Sequence, residues 1–164
     1  MDLQIRALKP ADWPEVRRIY AEGIATQNAT FETVIPEWHL WDAAHRKDCR
    51  IVANEGSQVL GWAALSGVSS RKVYAGVAEV SVYVGTSGRG RGVGKLLLQS
   101  IIRESEAAGI WTLQAGIFPE NAVSIALHKS CGFREVGVRK RVAQLAGIWR
   151  DVMSLERRSK LVGV

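Results

Sequence analysis

The sequence predicts a mixed α/β fold of the α+β type, with a mostly antiparallel central sheet flanked by helices. Two observations carry that reading. Hydrophobic spacing switches between a period of two and a period of three to four, in the order β-α-α-β-β-β-α-β-α-β-β. That order is neither a regular strand–helix alternation nor a strand half followed by a helix half, which argues against a doubly wound parallel sheet. The 164 residues make one domain, 1–164, at the usual ~100–200 residues per domain. Neither a linker nor a repeat divides them. A chain of this length buries a core without disulfides or a structural metal.

Leu3, Ile5 and Ala7 alternate with Gln4, Arg6 and Leu8 in a short first strand stopped by Pro10. Asp12 is placed to cap a helix whose Trp13, Val16, Ile19, Tyr20 and Ile24 share one face, ended by Gly23 and Thr26-Gln27-Asn28. Residues 29–36 read as an extended loop, because Pro36 disfavours helical geometry in its predecessor. A second short helix carries Trp38, Trp41 and Ala44. Arg50 to Ala53 and Val59 to Gly67 form a hairpin across Glu55-Gly56-Ser57. A polar stretch, Ser69-Ser70-Arg71-Lys72, leads to a strand over Gly76 to Gly85. After a glycine-rich turn comes the most regular helix, with Leu96, Leu97, Ile101 and Ala108 on its apolar face and Gly109 at its end. Trp111 to Ile117 is a strand, Asn121 to Ser130 a helix, and Phe133 to Val142 with Trp149 to Leu155 a closing strand pair.

Composition narrows the function class. Hydrophobic residues make up 47% and charged residues 23%, as in an ordinary globular protein and unlike a disordered chain. No apolar run approaches the ~20 residues needed to span a bilayer, and the first residues, Met1-Asp2-Leu3-Gln4-Ile5-Arg6, do not read as a signal peptide. Cys49 and Cys131 are isolated in sequence, as expected of reduced thiols in a cytoplasmic protein without a metal site. The net charge of +6 is uneven: residues 1–82 carry −1 and residues 83–164 carry +7. An anionic partner of the second half is therefore expected, either nucleic acid or a phosphorylated small molecule.

The segment Val82-Tyr83-Val84-Gly85-Thr86-Ser87-Gly88-Arg89-Gly90-Arg91-Gly92-Val93-Gly94-Lys95 places a strand, a glycine turn and a helix start in succession. Backbone N–H groups and the helix N-terminus converge there, and missing Cβ atoms let phosphate oxygens approach. Arg89, Arg91 and Lys95 add charge. A P-loop fails twice, because Arg89 stands where its first glycine must be and Leu96 replaces the hydroxyl residue. A dinucleotide fingerprint fails too: Lys95 or Val93 occupies its third glycine position. Without a ligand, the same glycines are a tight turn that permits helix–strand packing.

What remains is Arg89-x-x-Gly92-x-Gly94, which resembles the pyrophosphate-binding motif of the GNAT superfamily of N-acetyltransferases. The order of elements is similar to the GNAT fold as well. The resemblance implies acetyl-CoA as co-substrate and no metal, with Val82, Tyr83, Val84, Arg89, Gly90, Arg91, Gly92, Val93, Gly94 and Lys95 against the cofactor. It further implies Asn121 and Ser124 beside the pantetheine arm, on a helix that ends in Gly132-Phe133. His128 stands where most members carry tyrosine to protonate the departing thiolate, a feature of the phosphinothricin and methionine sulfoximine branch. Gly147-Ile148-Trp149-Arg150-Asp151-Val152 is similar to that branch's closing signature, and Thr30-Phe31-Glu32-Thr33 to its early substrate loop.

Acetyl transfer to an amine needs a neutral nucleophile, a polarised carbonyl and a protonated leaving group. Glu79, in the strand ahead of the cofactor motif, matches the branch's glutamate beside the acetyl group and is placed to take the ammonium proton. It reads otherwise as a solvent-facing strand carboxylate, and His128 as a hydrogen-bonded structural histidine. The resemblance places Phe31, Ser69, Ser70, Arg71, Glu79, Val80 and Ser81 around an amino-acid-like acceptor, with Arg71 set to pair with its carboxylate. Val68 and Ser69 depart from the aromatic or basic residues usual at those positions. Other amines are alternative acceptors: a polyamine, an aminoglycoside or a protein N-terminus. The resemblance also implies a homodimer. A nucleic-acid surface built on Arg139-Lys140-Arg141 and Arg157-Arg158-Ser159-Lys160 is the non-enzymatic alternative, but strand alternation scatters those side chains and no recognised motif accompanies them. The expectation is therefore a cytoplasmic enzyme acting on a small-molecule amine, without nucleic acid or membrane as partner.

Overall fold

The computed structural model describes residues 2–164. Strand β1 (Leu3–Ala7) precedes helices α1 (Trp13–Ala25) and α2 (Trp38–Ala44). Strands β2 (Arg50–Glu55), β3 (Gln58–Gly67) and β4 (Val77–Val84) follow. Helix α3 (Val93–Ala107), strand β5 (Thr112–Ile117) and helix α4 (Ala122–Ser130) lead to the closing hairpin, β6 (Arg134–Leu145) and β7 (Ile148–Arg158). The order is the one the hydrophobic periods predict, with β6 and β7 running about three residues further than the apolar pattern suggests.

All seven strands lie in one sheet, ordered β1-β2-β3-β4-β5-β7-β6. Every neighbouring pair is antiparallel except β4 and β5. Strand alternation splits the core into two layers. On one face Ala63, Leu65, Ala78 and Val80 pack with Leu97, Leu98 and Ile101 of α3. On the other, Val52, Trp62 and Ala64 pack with Val16, Ile19, Tyr20 and Trp41 from α1 and α2.

Four local expectations change. The Asp12 side chain does not cap α1. Pro14 removes one of the N–H groups it would serve, and the carboxylate instead accepts from Lys9 N at 2.7 Å and pairs with Arg6 at 2.8 Å. Gly23 lies inside α1 rather than at its end: a Cβ there would stand 2.7 Å from the Tyr83 ring, so the glycine serves packing. In α3 the buried face is Val93, Leu97, Leu98, Ile101 and Ile102, whereas Leu96 is half-buried and Ala108 lies exposed beyond the last turn. Finally, Trp149 is exposed near the β6–β7 turn, with the Arg141 guanidinium 5.9 Å from its ring centroid. Trp41 and Trp62, by contrast, are 1% exposed.

Cys49 is buried, Cys131 half-buried, and both are free. Burial pushes the Cys49 thiol up to about 11. Among the described residues no helix is long and apolar enough to cross a membrane.

Candidate active site

Strands β4 and β5 pair over three rungs only, from Val77 opposite Thr112 to Glu79 opposite Gln114. Beyond Glu79 they separate. Gly85 N donates to Leu60 O at 2.8 Å, and an antiparallel ladder alternates its bonds. The odd residues of β4 are thus spent on β3, while the N–H groups of Val82 and Val84 face the gap. A cavity of about 860 Å³ occupies that gap; Val80, Ser81, Val82, Tyr83 and Val84 run along one wall.

At one end of the cavity stands Arg89, followed by the glycine turn. Gly90 and Gly92 have φ of +71° and +77°, the left-handed region that favours glycine, and no atom lies within 4 Å of where their Cβ atoms would be. Gly92 is the residue that opens α3, and its carbonyl accepts from Leu96 N at 3.0 Å. The turn therefore presents bare backbone to solvent, with Arg89 and Lys95 exposed beside it. Val93 contributes backbone alone, because its side chain is in the core.

The structure adds braces that sequence reasoning missed. Glu22 of α1 accepts from Thr86 N at 2.8 Å and from Thr86 Oγ1 at 3.1 Å, fixing the entrance to the turn. Glu55 pairs with Arg91 at 2.9 Å, and Gln58 donates to Ser87 Oγ at 3.3 Å. Arg91 thus ties the turn to the β2–β3 hairpin instead of standing free over it. No local pattern marks Glu22 or Glu55, since each meets the turn from a distant segment.

The cavity wall beyond the gap brings together Phe31, Glu79 and His128. Phe31 meets Phe118 edge-on, with centroids 4.9 Å apart. Glu79 is exposed on its strand and opens onto the cavity, and partial desolvation raises its carboxyl from its ordinary value. It also borders a second cavity of about 550 Å³ on the far side, over β5, β7 and β6. His128 is 5% exposed; its Nδ1 is 2.7 Å from Ser124 O. A carbonyl only accepts, so Nδ1 carries the proton and the neutral ring keeps its lone pair on Nε2. Burial lowers the His128 pKa from its ordinary value, against the raising effect of that bond. Asn121 caps α4 through Ser124 N at 3.2 Å and donates from Nδ2 to Asn28 O at 3.1 Å. Ser69, Ser70 and Arg71 border neither cavity: they are exposed, and the Arg71 guanidinium stands 5.5 Å from the Tyr74 ring centroid.

Residues 11–133 match the acetyltransferase (GNAT) family. The chain belongs to that family. It is 31% identical to phosphinothricin N-acetyltransferase of Alcaligenes faecalis over 93% of this chain and 81% of that protein. It is 31% identical to the L-methionine sulfoximine/L-methionine sulfone acetyltransferase of Pseudomonas paraeruginosa, covering 95% of this chain and 94% of that one. In structure it is similar to a GNAT superfamily phosphinothricin acetyltransferase from Sinorhizobium meliloti in complex with AcCoA. That match has a TM-score of 0.89 and 28% identity, over 99% of this chain and 91% of the other.

As a GNAT N-acetyltransferase the protein uses acetyl-CoA. The residues present fit that group: an open, cationic glycine turn suits a pyrophosphate, and the unpaired edge of β4 suits an extended amide-bearing arm. Membership also reinterprets the basic second half of the acetyltransferase. Arg157 pairs with Glu106 at 2.7 Å, and Arg158 donates to the carbonyls of Ser159, Val162 and Gly163. Those charges hold the C-terminal segment in place. Lys140 lies 3.4 Å from Asp151, whose Oδ1 accepts from Arg141 N at 2.7 Å.

Proposed function

We propose that this acetyltransferase acetylates the α-amine of a small amino-acid-like acceptor, of the phosphinothricin or methionine sulfoximine type, by direct attack in a ternary complex. One observation carries the reading: Glu79 stands where β4 leaves β5, on the wall of the cavity that Arg89, just ahead of the turn glycines, also lines. An acceptor amine brought to Glu79 therefore lies in the gap that receives the cofactor arm. The named activities of the two relatives supply the acceptor class.

Bound acetyl-CoA supplies the activated acetyl group. The backbone N–H groups of residues 90–95, with Arg89 and Lys95, hold phosphate oxygens at the turn. Asn121 and Ser124 line the arm's course, and the N–H groups of Val82 and Val84 offer donors along the open strand edge. Glu79 takes the proton of the acceptor ammonium; its raised pKa brings carboxylate and ammonium closer in basicity than an unperturbed glutamate would be. Phe31, Val80 and Ser81 shape the acceptor end; Ser69, Ser70 and Arg71, exposed and outside the cavity, take no part in it. His128 is assigned as the acid for the leaving sulfur. With Nδ1–H committed to Ser124 O, Nε2 first takes up a proton from water, and the imidazolium so formed passes that proton to the sulfur.

A homodimer fits the exposed Val142, Ile148 and Trp149 at the end of the β6–β7 hairpin. The two free cysteines suit the reducing cytoplasm. Thiol release measured with phosphinothricin, methionine sulfoximine, spermidine and a peptide panel tests the acceptor class. Turnover with the first two is expected, and its absence from both overturns the reading.

A further inference from the structure

We propose that Arg150 is a positioning residue that locks the loop between α1 and α2 against the start of α4, and so sets the affinity for the acceptor amine. The inference rests on the reading of that loop as an acceptor wall. Arg150 lies on β7, more than a hundred residues from the loop in sequence, and its side chain is 16% exposed. Its Nη1 donates to Gln27 O at 2.8 Å and its Nη2 to Asn28 Oδ1 at 3.2 Å. The same Nη2 lies 3.3 Å from Glu120 Oε2, in the segment between β5 and α4. The guanidinium carbon stands 4.0 Å from the Phe118 ring centroid. One planar group thereby joins two separate segments through four residues, a geometry that a lysine ammonium does not reproduce.

Each contact leads to a cavity residue. Gln27 has φ of +53°, a conformation unfavourable for a non-glycine residue that turns the chain out of α1 into the loop. Arg150 satisfies the carbonyl exposed by that turn. Phe118, held by the guanidinium on its face, receives the edge of Phe31. Asn28, held through its side-chain oxygen, accepts at its backbone oxygen from Asn121, whose own oxygen caps α4 at Ser124. Asn28, Phe31, Phe118, Asn121 and Ser124 all line the large cavity. Arg150 reaches the acceptor end through this strap, as a support for the residues that line it.

Two variants test the strap. Arg150→Met keeps length and packing on Phe118 and removes every hydrogen bond; Arg150→Lys keeps the charge beside Glu120. Arg150→Met is expected to raise KM for methionine sulfoximine about tenfold or more, because charge-assisted bonds are lost. kcat should stay within about twofold, KM for acetyl-CoA, whose arm Asn121 and Ser124 line, should rise clearly less than KM for the acceptor, and Arg150→Lys should fall between variant and wild type. Amide hydrogen exchange of the unliganded protein should quicken in residues 26–36 but not in β2 and β3. An unchanged acceptor KM, or equal rises in both KM values, overturns the inference. Should the wild type not turn over methionine sulfoximine, the acceptor reading fails by itself. The exchange measurement still decides the strap, and unaltered protection of residues 26–36 in Arg150→Met refutes it.

Discussion

Glu79 and Gln114 face each other on the last rung that β4 and β5 share. Parallel pairing ends there, although both strands continue, β4 to Val84 and β5 to Ile117. The carboxylate consequently sits at the apex of a wedge, with sheet behind it and cavity in front. Its place at the apex underlies the first prediction.

Glu79→Gln should cut kcat at neutral pH by tenfold or more while leaving acetyl-CoA affinity within about twofold, since general-base catalysis contributes about 10²–10⁴-fold. The same change should raise thermal stability slightly at neutral pH. Desolvation raises the folded-state pKa above the unfolded value, so ionisation disfavours the folded form as pH climbs through that range. Glutamine removes the penalty, and the two proteins should converge in acid. Parallel losses in turnover and cofactor binding, read by steady-state kinetics and calorimetry, would reassign Glu79 to structure.

At Gly92 two substitutions separate charge from backbone strain. Aspartate and asparagine both tolerate the left-handed region better than other side chains, and open space surrounds the position. Gly92→Asp should abolish acetyl-CoA binding by placing a carboxylate at the phosphate site. Gly92→Asn should weaken binding far less, and thermal melting of the unliganded protein should be similar for both. Calorimetric titration with coenzyme A gives the comparison. Equal affinity in the aspartate variant and the wild type would remove the phosphate site from the turn.

Glu22→Ala should raise KM for acetyl-CoA several-fold with kcat little changed. Glu22 grips Thr86 N and Oγ1 ahead of the turn, and losing that grip costs pre-organisation rather than chemistry. Against desolvation, the two Thr86 bonds lower the Glu22 pKa, and Arg18 at 2.6 Å adds to that effect. Glu22→Gln retains an acceptor oxygen and should recover most of the affinity.

His128 makes stability pH-dependent in a defined direction. Burial lowers its folded-state pKa, so the unfolded chain binds the proton more tightly. Stability is full above the ordinary histidine value near ~6.5 and falls as pH drops below it. His45, lowered for the same first cause, adds to the slope. His128→Gln should flatten part of the decline between neutral pH and about pH 5 in urea unfolding. His128→Phe tests the catalytic assignment separately: a wild-type rate of thiol release would remove the acid role.

Periodicity by itself determined the eleven elements and their order, because burial of one face imposes a period of two on a strand and about 3.6 on a helix. The glycine turn is legible as well, since Gly90, Gly92 and Gly94 with flanking cations form a contiguous signal. Glu79 and His128 were legible for the same local reason, each lying within the short segment that carries its resemblance. Tertiary structure alone decided where those groups meet. Glu79 gains its setting from the rung at which β4 leaves β5, Arg91 is drawn to Glu55, and Ser69 to Arg71 lie outside both cavities. Glu22 and Arg150 carry no local mark, because their partners lie 64 and more than 120 residues away. Strand period follows from neighbours one or two residues apart. A contact that closes a long loop depends on the whole packed sheet, and only the folded chain specifies it.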